Sequence, residues 1–205
     1  MDAGPSYPDP LPWSHRASAM PWLPGGNDGQ LATLKAVLLT ARSGAFGNTE
    51  VALGDPPGGE TIRLSSAGSR LQPTGLLSRG DHDVWLPSPD ALSWLETEDP
   101  TLLIAVLHSR VRFVGELMAL VAASPRTHAE LNDLGTQMYQ LNWSTLDQVR
   151  RRTAWLRATG FAELRFDNVV ELTPAGEQLL RCLKLADPIQ MDDQVAEVHL
   201  GEPAE

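Results

Sequence analysis

Apolar positions in the last third of the chain follow two different periods. From Thr127 onward they recur every three or four residues, which predicts two consecutive helices. The inner-face positions are Leu131, Leu134 and Met138 in the first helix and Leu146, Val149, Thr153 and Leu156 in the second. After Gly160 the apolar residues roughly alternate, so FAELRFDNVVEL predicts two short strands around a turn. Thr173 and Pro174 then predict the start of a closing helix.

Polar residues mark where the two long helices begin. Thr127 and Glu130 have the spacing of a capping box, in which each side chain accepts from the other residue's backbone N–H. Ser144 and Asp147 repeat that spacing. We therefore expect one helix to start after Thr127 and the next after Ser144.

The stretch 72–95 is similar to 157–180 when the two are aligned without a gap at an offset of eighty-five residues. The identical pairs are Leu71/Leu156, Thr74/Thr159, Gly75/Gly160, Val84/Val169, Pro89/Pro174 and Leu95/Leu180. Similarity at a fixed offset predicts two copies of one structural unit. In the earlier copy, LATLKAVLLTA predicts a first helix, NTEVAL a short second helix, ETIRLSSAGSRLQPTG a third helix and LLSRGDHDVWL a hairpin.

The predicted order of two helices, a two-stranded ribbon and a closing helix resembles the winged helix-turn-helix domain of bacterial regulators of the MarR and PadR type. The resemblance rests on STLDQVRRRTAWLRATGFAEL and VVELTPAGEQLL, and it covers about 55 residues. It implies a mainly α fold with small β-wings, of the α+β class, with two winged helix-turn-helix units in tandem.

Composition and the repeat together predict four segments. We expect a disordered arm rich in proline and glycine over 1–27, a degenerate first unit over 28–98 and a second unit over 99–185. Asp99 and Pro100 predict the start of a helical region that runs to about Ala123. The segment 186–205 contains six acidic residues and no lysine or arginine, so we expect an acidic tail that folding does not require.

Charge is unevenly distributed in this chain of 205 residues. The formal net charge is −10, and an acidic protein is repelled by the phosphate backbone of DNA unless its cations are gathered in one place. Five arginines do gather in the second copy: Arg150, Arg151, Arg152, Arg157 and Arg165. The sequence therefore predicts a local basic site on an acidic molecule.

The second predicted helix carries polar residues on the face opposite its apolar one. The winged-helix resemblance implies that this face enters the major groove of duplex DNA, while the hairpin contacts phosphate or the minor groove. The predicted DNA-binding residues are Ser144, Gln148, Arg150, Arg151, Arg152, Arg157 and Arg165. A solvated helix face is the alternative interpretation of the arginine run. Trp155 falls on the same face. Because exposing a large apolar side chain to solvent is unfavourable, we predict that Trp155 contacts a partner protein.

The first copy is less suited to DNA. Asp81 and Asp83 lie at the tip of its predicted hairpin, and its third helix offers only Arg63 and Arg70. We assign it to packing, dimerisation or partner binding. An acidic chain of this size with two winged helices is also similar to the accessory subunits of SMC complexes, the ScpB and MukE kind, in which the winged helices bind partner proteins. A subunit of a restriction or phage-defence complex is a related alternative to a DNA-binding regulator.

Residues needed for common enzyme chemistry are missing at the required spacings. Neither Lys35 nor Lys184 follows a glycine-rich phosphate-binding loop, and no cysteine and histidine pairs have zinc spacing. We therefore expect a protein that is not an enzyme and that uses no cofactor or metal. The single cysteine, the absence of a secretory signal and the absence of a long apolar stretch predict a cytoplasmic protein without a membrane partner.

Overall fold

Among the described residues, the first half of the chain contains three α-helices and two small hairpins. A computed structural model describes residues 7–54 and 60–187. Its first elements are α1 (Gly26–Arg42), β1 (Glu50–Ala52), β2 (Thr61–Arg63), α2 (Leu64–Leu71), β3 (Leu77–Arg79), β4 (Trp85–Pro87) and α3 (Pro89–Thr97). Strand β1 pairs with β2 and β3 pairs with β4, both antiparallel.

The second half contains five helices around one three-stranded sheet. Its elements are α4 (Pro100–Arg110), α5 (Gly115–Ala123), β5 (Arg126–Thr127), α6 (His128–Tyr139), α7 (Asp147–Ala158), β6 (Ala162–Leu164), β7 (Val169–Leu172) and α8 (Pro174–Leu180). The strands are antiparallel in the order β5-β7-β6. The described residues thus form a mixed α/β structure of helices and small antiparallel sheets, which confirms the prediction at that level.

The hairpin and helix of the two copies match residue for residue. At the offset of eighty-five, the β3–β4 pairs Leu77↔Pro87 and Arg79↔Trp85 correspond to the β6–β7 pairs Ala162↔Leu172 and Leu164↔Val170. The equivalent glycines Gly75 and Gly160 both have positive φ, 73° and 78°, where the chain leaves the preceding helix. The side chains of Ser88 and Thr173 cap α3 and α8 in the same way. The strand–turn–strand–helix prediction for both stretches is confirmed.

Elements before the hairpins differ from expectation in four places. The first is the predicted third helix ETIRLSSAGSRLQPTG, whose start forms strand β2 (Thr61–Arg63), so that α2 begins only at Leu64. NTEVAL does not form a helix: it contains β1, because Val51 is buried between two exposed residues and pairs with Ile62 of β2. The predicted helical region 99–123 is divided into α4 and α5, and Phe113 between them has a φ of 63°. The capping box at Thr127 is present, but α7 begins at Asp147 without a side-chain cap, so the second capping box was wrongly predicted.

The segment before α1 is packed against the rest of the chain. Its Ala17 N–H donates to the carbonyl of Arg110 at 2.8 Å, and Arg112 N–H donates to the Ala17 carbonyl at 2.9 Å. Met20 and Leu23 are buried in the core. The prediction of a disordered arm is therefore wrong for residues 7–25. They form one short 3-10 helix, Trp13–His15, and distant partners satisfy much of the remaining backbone. Residues 1–6, and the acidic tail from 188 onward, lie outside the described residues.

A buried charge pair anchors this arm. The Arg16 guanidinium lies 3.2 Å from the Glu116 carboxylate, and both side chains are almost fully buried. The same carboxylate accepts from the backbone N–H of Ala186 at 3.0 Å, which connects the arm to the segment after α8. Burial lowers the pKa of Arg16, although Glu116 opposes that shift. The arm, α5 and the end of the second unit are thus tied together at one carboxylate.

Candidate functional site

Trp155 of α7 is enclosed by the arm. Its side chain is 0% exposed, and its indole Nε1 donates to the carbonyl of Pro21 at 2.9 Å. Helix α1 packs against α7 as well. The prediction that Trp155 is an exposed partner-binding residue is wrong, because the arm that was expected to be disordered covers it.

Arg152 is also buried, at 0% exposure. Its guanidinium donates to the carbonyls of Arg112 at 2.9 Å, Gln148 at 2.8 Å and Ser18 at 2.9 Å. It lies 4.4 Å from the ring centroid of Trp143. Burial lowers the pKa of Arg152 to about 9, with Glu116 acting in the opposite direction. These contacts make Arg152 a packing residue in this structure, so its predicted exposure toward DNA is wrong.

The arm also engages the other two residues predicted on this face. Gln148 is half-buried, and its side-chain oxygen accepts from the Met20 backbone N–H at 2.7 Å. Arg151 is half-buried and approaches the Met20 carbonyl at 3.5 Å. Ser144 is exposed in the loop before α7. The face assigned to the major groove is therefore largely an internal contact with residues 18–21.

Arg150 and Arg157 point into a different place, a cleft between α6, α7 and the β6–β7 hairpin. We refer to it as the α6–α7 cleft. It has a volume of about 550 Å³. It is lined by Thr127, His128, Ala129, Leu146, Arg150, Thr153, Ala154, Arg157, Leu164 and Asn168. None of these described lining residues carries a carboxylate, which makes the cleft a positively charged pocket on an acidic molecule.

His128 forms one wall of the α6–α7 cleft. A ring nitrogen lies 2.9 Å from the hydroxyl of Thr153, which fixes the ring against α7. Burial lowers the pKa of His128, and the charges of Arg150 and Arg157 lower it further. Both arginines are therefore close enough to the His128 imidazole to lower its pKa, and an anion bound in the cleft would lie near all three side chains. His128 was not predicted as a site residue. The only sequence signal near it is the helix start after the Thr127 cap, which places His128 in the first turn of α6.

The hairpin arginine is already paired. Arg165 lies 3.2 Å from a carboxylate oxygen of Asp167 and 3.8 Å from one of Glu171. Phe166 at the turn is 103% exposed. The hairpin therefore presents an aromatic ring beside a compensated charge, and Arg165 contributes less positive potential than the sequence suggested.

Other kinds of site find little support within 7–54 and 60–187. No group of three or more His, Cys, Asp or Glu residues in these ranges could hold a metal ion. No helix there is long and apolar enough to cross a membrane.

Comparison of the chain with protein-family models, with curated proteins and with solved structures gives no match in any of the three.

Proposed function

We propose that the chain contains two winged-helix units in tandem and that the second binds duplex DNA through the α6–α7 cleft. The order α6, α7, β6, β7, α8 supports this assignment, because the sequence resemblance implies two helices, a two-stranded ribbon and a closing helix in that order. The matching hairpin registers support a second, degenerate unit in the first half. The proposed role is binding, as a regulator or DNA-associated protein, rather than catalysis.

The observation that carries the proposal is the charge of the α6–α7 cleft. Arg150 and Arg157 line it from α7, and His128 lines it from the first turn of α6. Neither arginine forms an ion pair with a described residue, so both remain available to a phosphate group.

The proposed footprint is smaller than the one predicted from the sequence. Arg152 and Trp155 are enclosed, and Gln148 is hydrogen-bonded to the arm. Helix α7 then offers Arg150, which is exposed, together with Arg151 and Arg157, which are half-buried. Because these cations surround a cleft with few groups that could read base edges, we propose that phosphate contacts supply most of the affinity.

The test is a fluorescence-anisotropy titration of duplex DNA with the full chain at several salt concentrations. Replacing Arg150 and Arg157 together by alanine should weaken binding, and each lost phosphate contact should reduce the slope of log affinity against log salt by about 0.9. The control pair is Arg63→Ala with Arg79→Ala, two exposed arginines of the first half that each pair with an acid. Equal losses in both double variants would contradict the proposed site.

A second candidate function is binding of a protein partner, as in an SMC-like, restriction or phage-defence complex. The observation that favours it is Phe166, which is fully exposed at the tip of a hairpin with compensated charge. An exposed aromatic ring is a common anchor at protein interfaces. The parent chain would then show no duplex binding even at low salt, and Phe166→Ala would lose a partner that the parent retains.

A further inference from the structure

Trp22 of the arm is exposed, although its neighbours in the arm are buried. Its side chain is 49% exposed, whereas Met20 and Leu23 on either side of it are buried. Gly25 and Gly26 follow with positive φ of 102° and 63°, a conformation that lets the chain turn sharply from the arm into α1. This turn places Trp22 beside α1 on one side and α7 on the other.

Arg70 of α2 holds the Trp22 ring in position. The Arg70 guanidinium lies 5.3 Å from the ring centroid, and it donates to the backbone carbonyl of Trp22 at 3.3 Å. Both residues border one small cleft. Trp22 also borders a second cleft, which we call the Trp22 cleft. The Trp22 ring therefore lies between two clefts and lines both of them.

The Trp22 cleft has a volume of about 360 Å³, within the range of small-ligand sites. It is lined by Trp22, Gln30, Asp147, Arg150, Arg151 and Ala154. It is separate from the α6–α7 cleft, although Arg150 borders both. Residues from the arm, from α1 and from α7 thus meet at one place that no single part of the sequence marks.

Gln30 supplies the independent sign of a ligand. Its residue is 3% exposed, and its side-chain Nε2 has no hydrogen-bond partner among the described residues. A buried amide donor without an acceptor is unfavourable, and such groups commonly mark a place where a bound molecule completes the hydrogen bond. Because Gln30 lines the Trp22 cleft, an acceptor bound there would complete this hydrogen bond.

The four functional groups of the cleft have a common ligand chemistry. An aromatic wall binds a planar ring by stacking, and this is how proteins bind unpaired bases without sequence selection. The Gln30 amide donates to an acceptor on the ring edge, and the Asp147 carboxylate accepts from an exocyclic amine. Arg150 and Arg151 offer charged donors to phosphate oxygens. A nucleotide carries all of these complementary groups.

We propose that the Trp22 cleft binds one unpaired nucleotide, with its base against Trp22, its edge at Gln30 and its phosphate between Arg150 and Arg151. The nucleotide is either free or part of a single strand, and the chemistry is the same for both. This site goes beyond the duplex-binding proposal, and it stands on Trp22 and Gln30, which do not line the α6–α7 cleft.

The experiment compares two probes on the full chain, each titrated alone and in competition: a fluorescent five-residue oligodeoxycytidylate and free dCMP, whose base carries both ring-edge acceptors and an exocyclic amine. Trp22→Ala should weaken binding by about tenfold or more, the loss expected from one base–aromatic stack. Gln30→Leu removes the amide but keeps a buried side chain of similar size, so it should weaken binding while the melting temperature stays equal or rises. Phe46→Ala is the matched control, since Phe46 is an exposed aromatic residue of the first half.

Each outcome is decisive. Binding of dCMP that competes with the oligonucleotide supports a free nucleotide, and binding of the oligonucleotide alone supports an unpaired strand. No binding of either probe overturns the proposal, as does an equal loss in Phe46→Ala and Trp22→Ala. Duplex affinity measured on Trp22→Ala separates the two sites, because this variant should keep the duplex affinity of the parent. If the Arg150 and Arg157 variants contradict the duplex proposal, the loss of nucleotide binding in Trp22→Ala still tests the Trp22 cleft.

Discussion

Helices α2 and α7 occupy equivalent places in the two copies, but the arm encloses only one of them. Arg70 of α2 and Trp155 of α7 are equivalent at the offset of eighty-five, and both donate a hydrogen bond to the arm, to Trp22 and Pro21 respectively. Arg70 stays exposed, whereas Trp155 is buried. At this matching position, an arginine keeps its contact with the arm exposed, whereas a tryptophan is buried by it.

The two helices also differ in charge. Arg150 and Arg157 of α7 correspond to Ser65 and Gln72 of the first copy, which are uncharged. The first copy has the β1–β2 hairpin in place of an equivalent of α6. It therefore lacks both the cations and the helix that form the α6–α7 cleft. This is the physical reason for assigning DNA to the second copy and not to the first.

The largest effect should come from Trp155→Ala. Removing a fully buried indole leaves a cavity and an unpaired Pro21 carbonyl, so we expect the free energy of unfolding to fall by about 3–5 kcal/mol. The equivalent change Arg70→Ala removes an exposed contact and should cost about 1 kcal/mol or less. Urea unfolding of both variants measures the difference. Similar losses would mean that the arm packs equally on both helices.

Gly68→Ala should have an intermediate effect on the free energy of unfolding. The first copy pairs a glycine with a tryptophan at the two positions where the second copy has two side chains of medium size. Gly68 and Trp85 of the first copy correspond to Thr153 and Val170 of the second, and a Cβ added at Gly68 would lie 2.7 Å from Cε2 of Trp85. We expect a loss of about 1–3 kcal/mol from overpacking. In a Trp85→Val background the same change should cost less, which a double-mutant cycle measures. Full additivity would show that the clash is absent.

The smallest effect concerns His128 and pH. Burial, Arg150 and Arg157 hold the pKa of His128 below its usual value in the free protein. A phosphate in the α6–α7 cleft should raise that pKa, so duplex binding takes up a proton and affinity rises as pH falls between the bound and free pKa values. We expect a gain of about a few-fold from pH 7.5 to pH 5.5 in the parent. His128→Gln should remove that part of the pH dependence, and an unchanged dependence would exclude a phosphate beside His128.

The hairpins and closing helices could be predicted from the sequence because their signals are local. Gly75 and Gly160 end helices through their own φ angles, and Ser88 and Thr173 cap the helices that follow directly. The register then follows from the alternation of apolar residues between these fixed points. No partner far along the chain is needed to specify these elements.

The site could be predicted only in part, because its geometry depends on contacts between distant residues. Proline and glycine in the arm agree with a segment whose longest helix is the 3-10 turn Trp13–His15, but they do not reveal that the Pro21 carbonyl accepts from Trp155, 134 positions away. Helical periodicity divides α7 into two faces, whereas the arm and α1 cover a part of the polar one. Arg150 and Arg157 therefore remain candidates, and Arg152 does not.

The most direct test of the central claim, that DNA binds the second copy at the α6–α7 cleft, is amide chemical-shift mapping of the full chain during titration with a short duplex. Our account predicts that perturbed resonances concentrate at the start of α6 and along the exposed edge of α7, with His128, Arg150 and Arg157 among the largest shifts. The amide resonances of the β3–β4 hairpin, which corresponds to β6–β7 in the first copy, should be unaffected. Shifts centred on β3 and β4, or no shifts at low salt, would contradict the account.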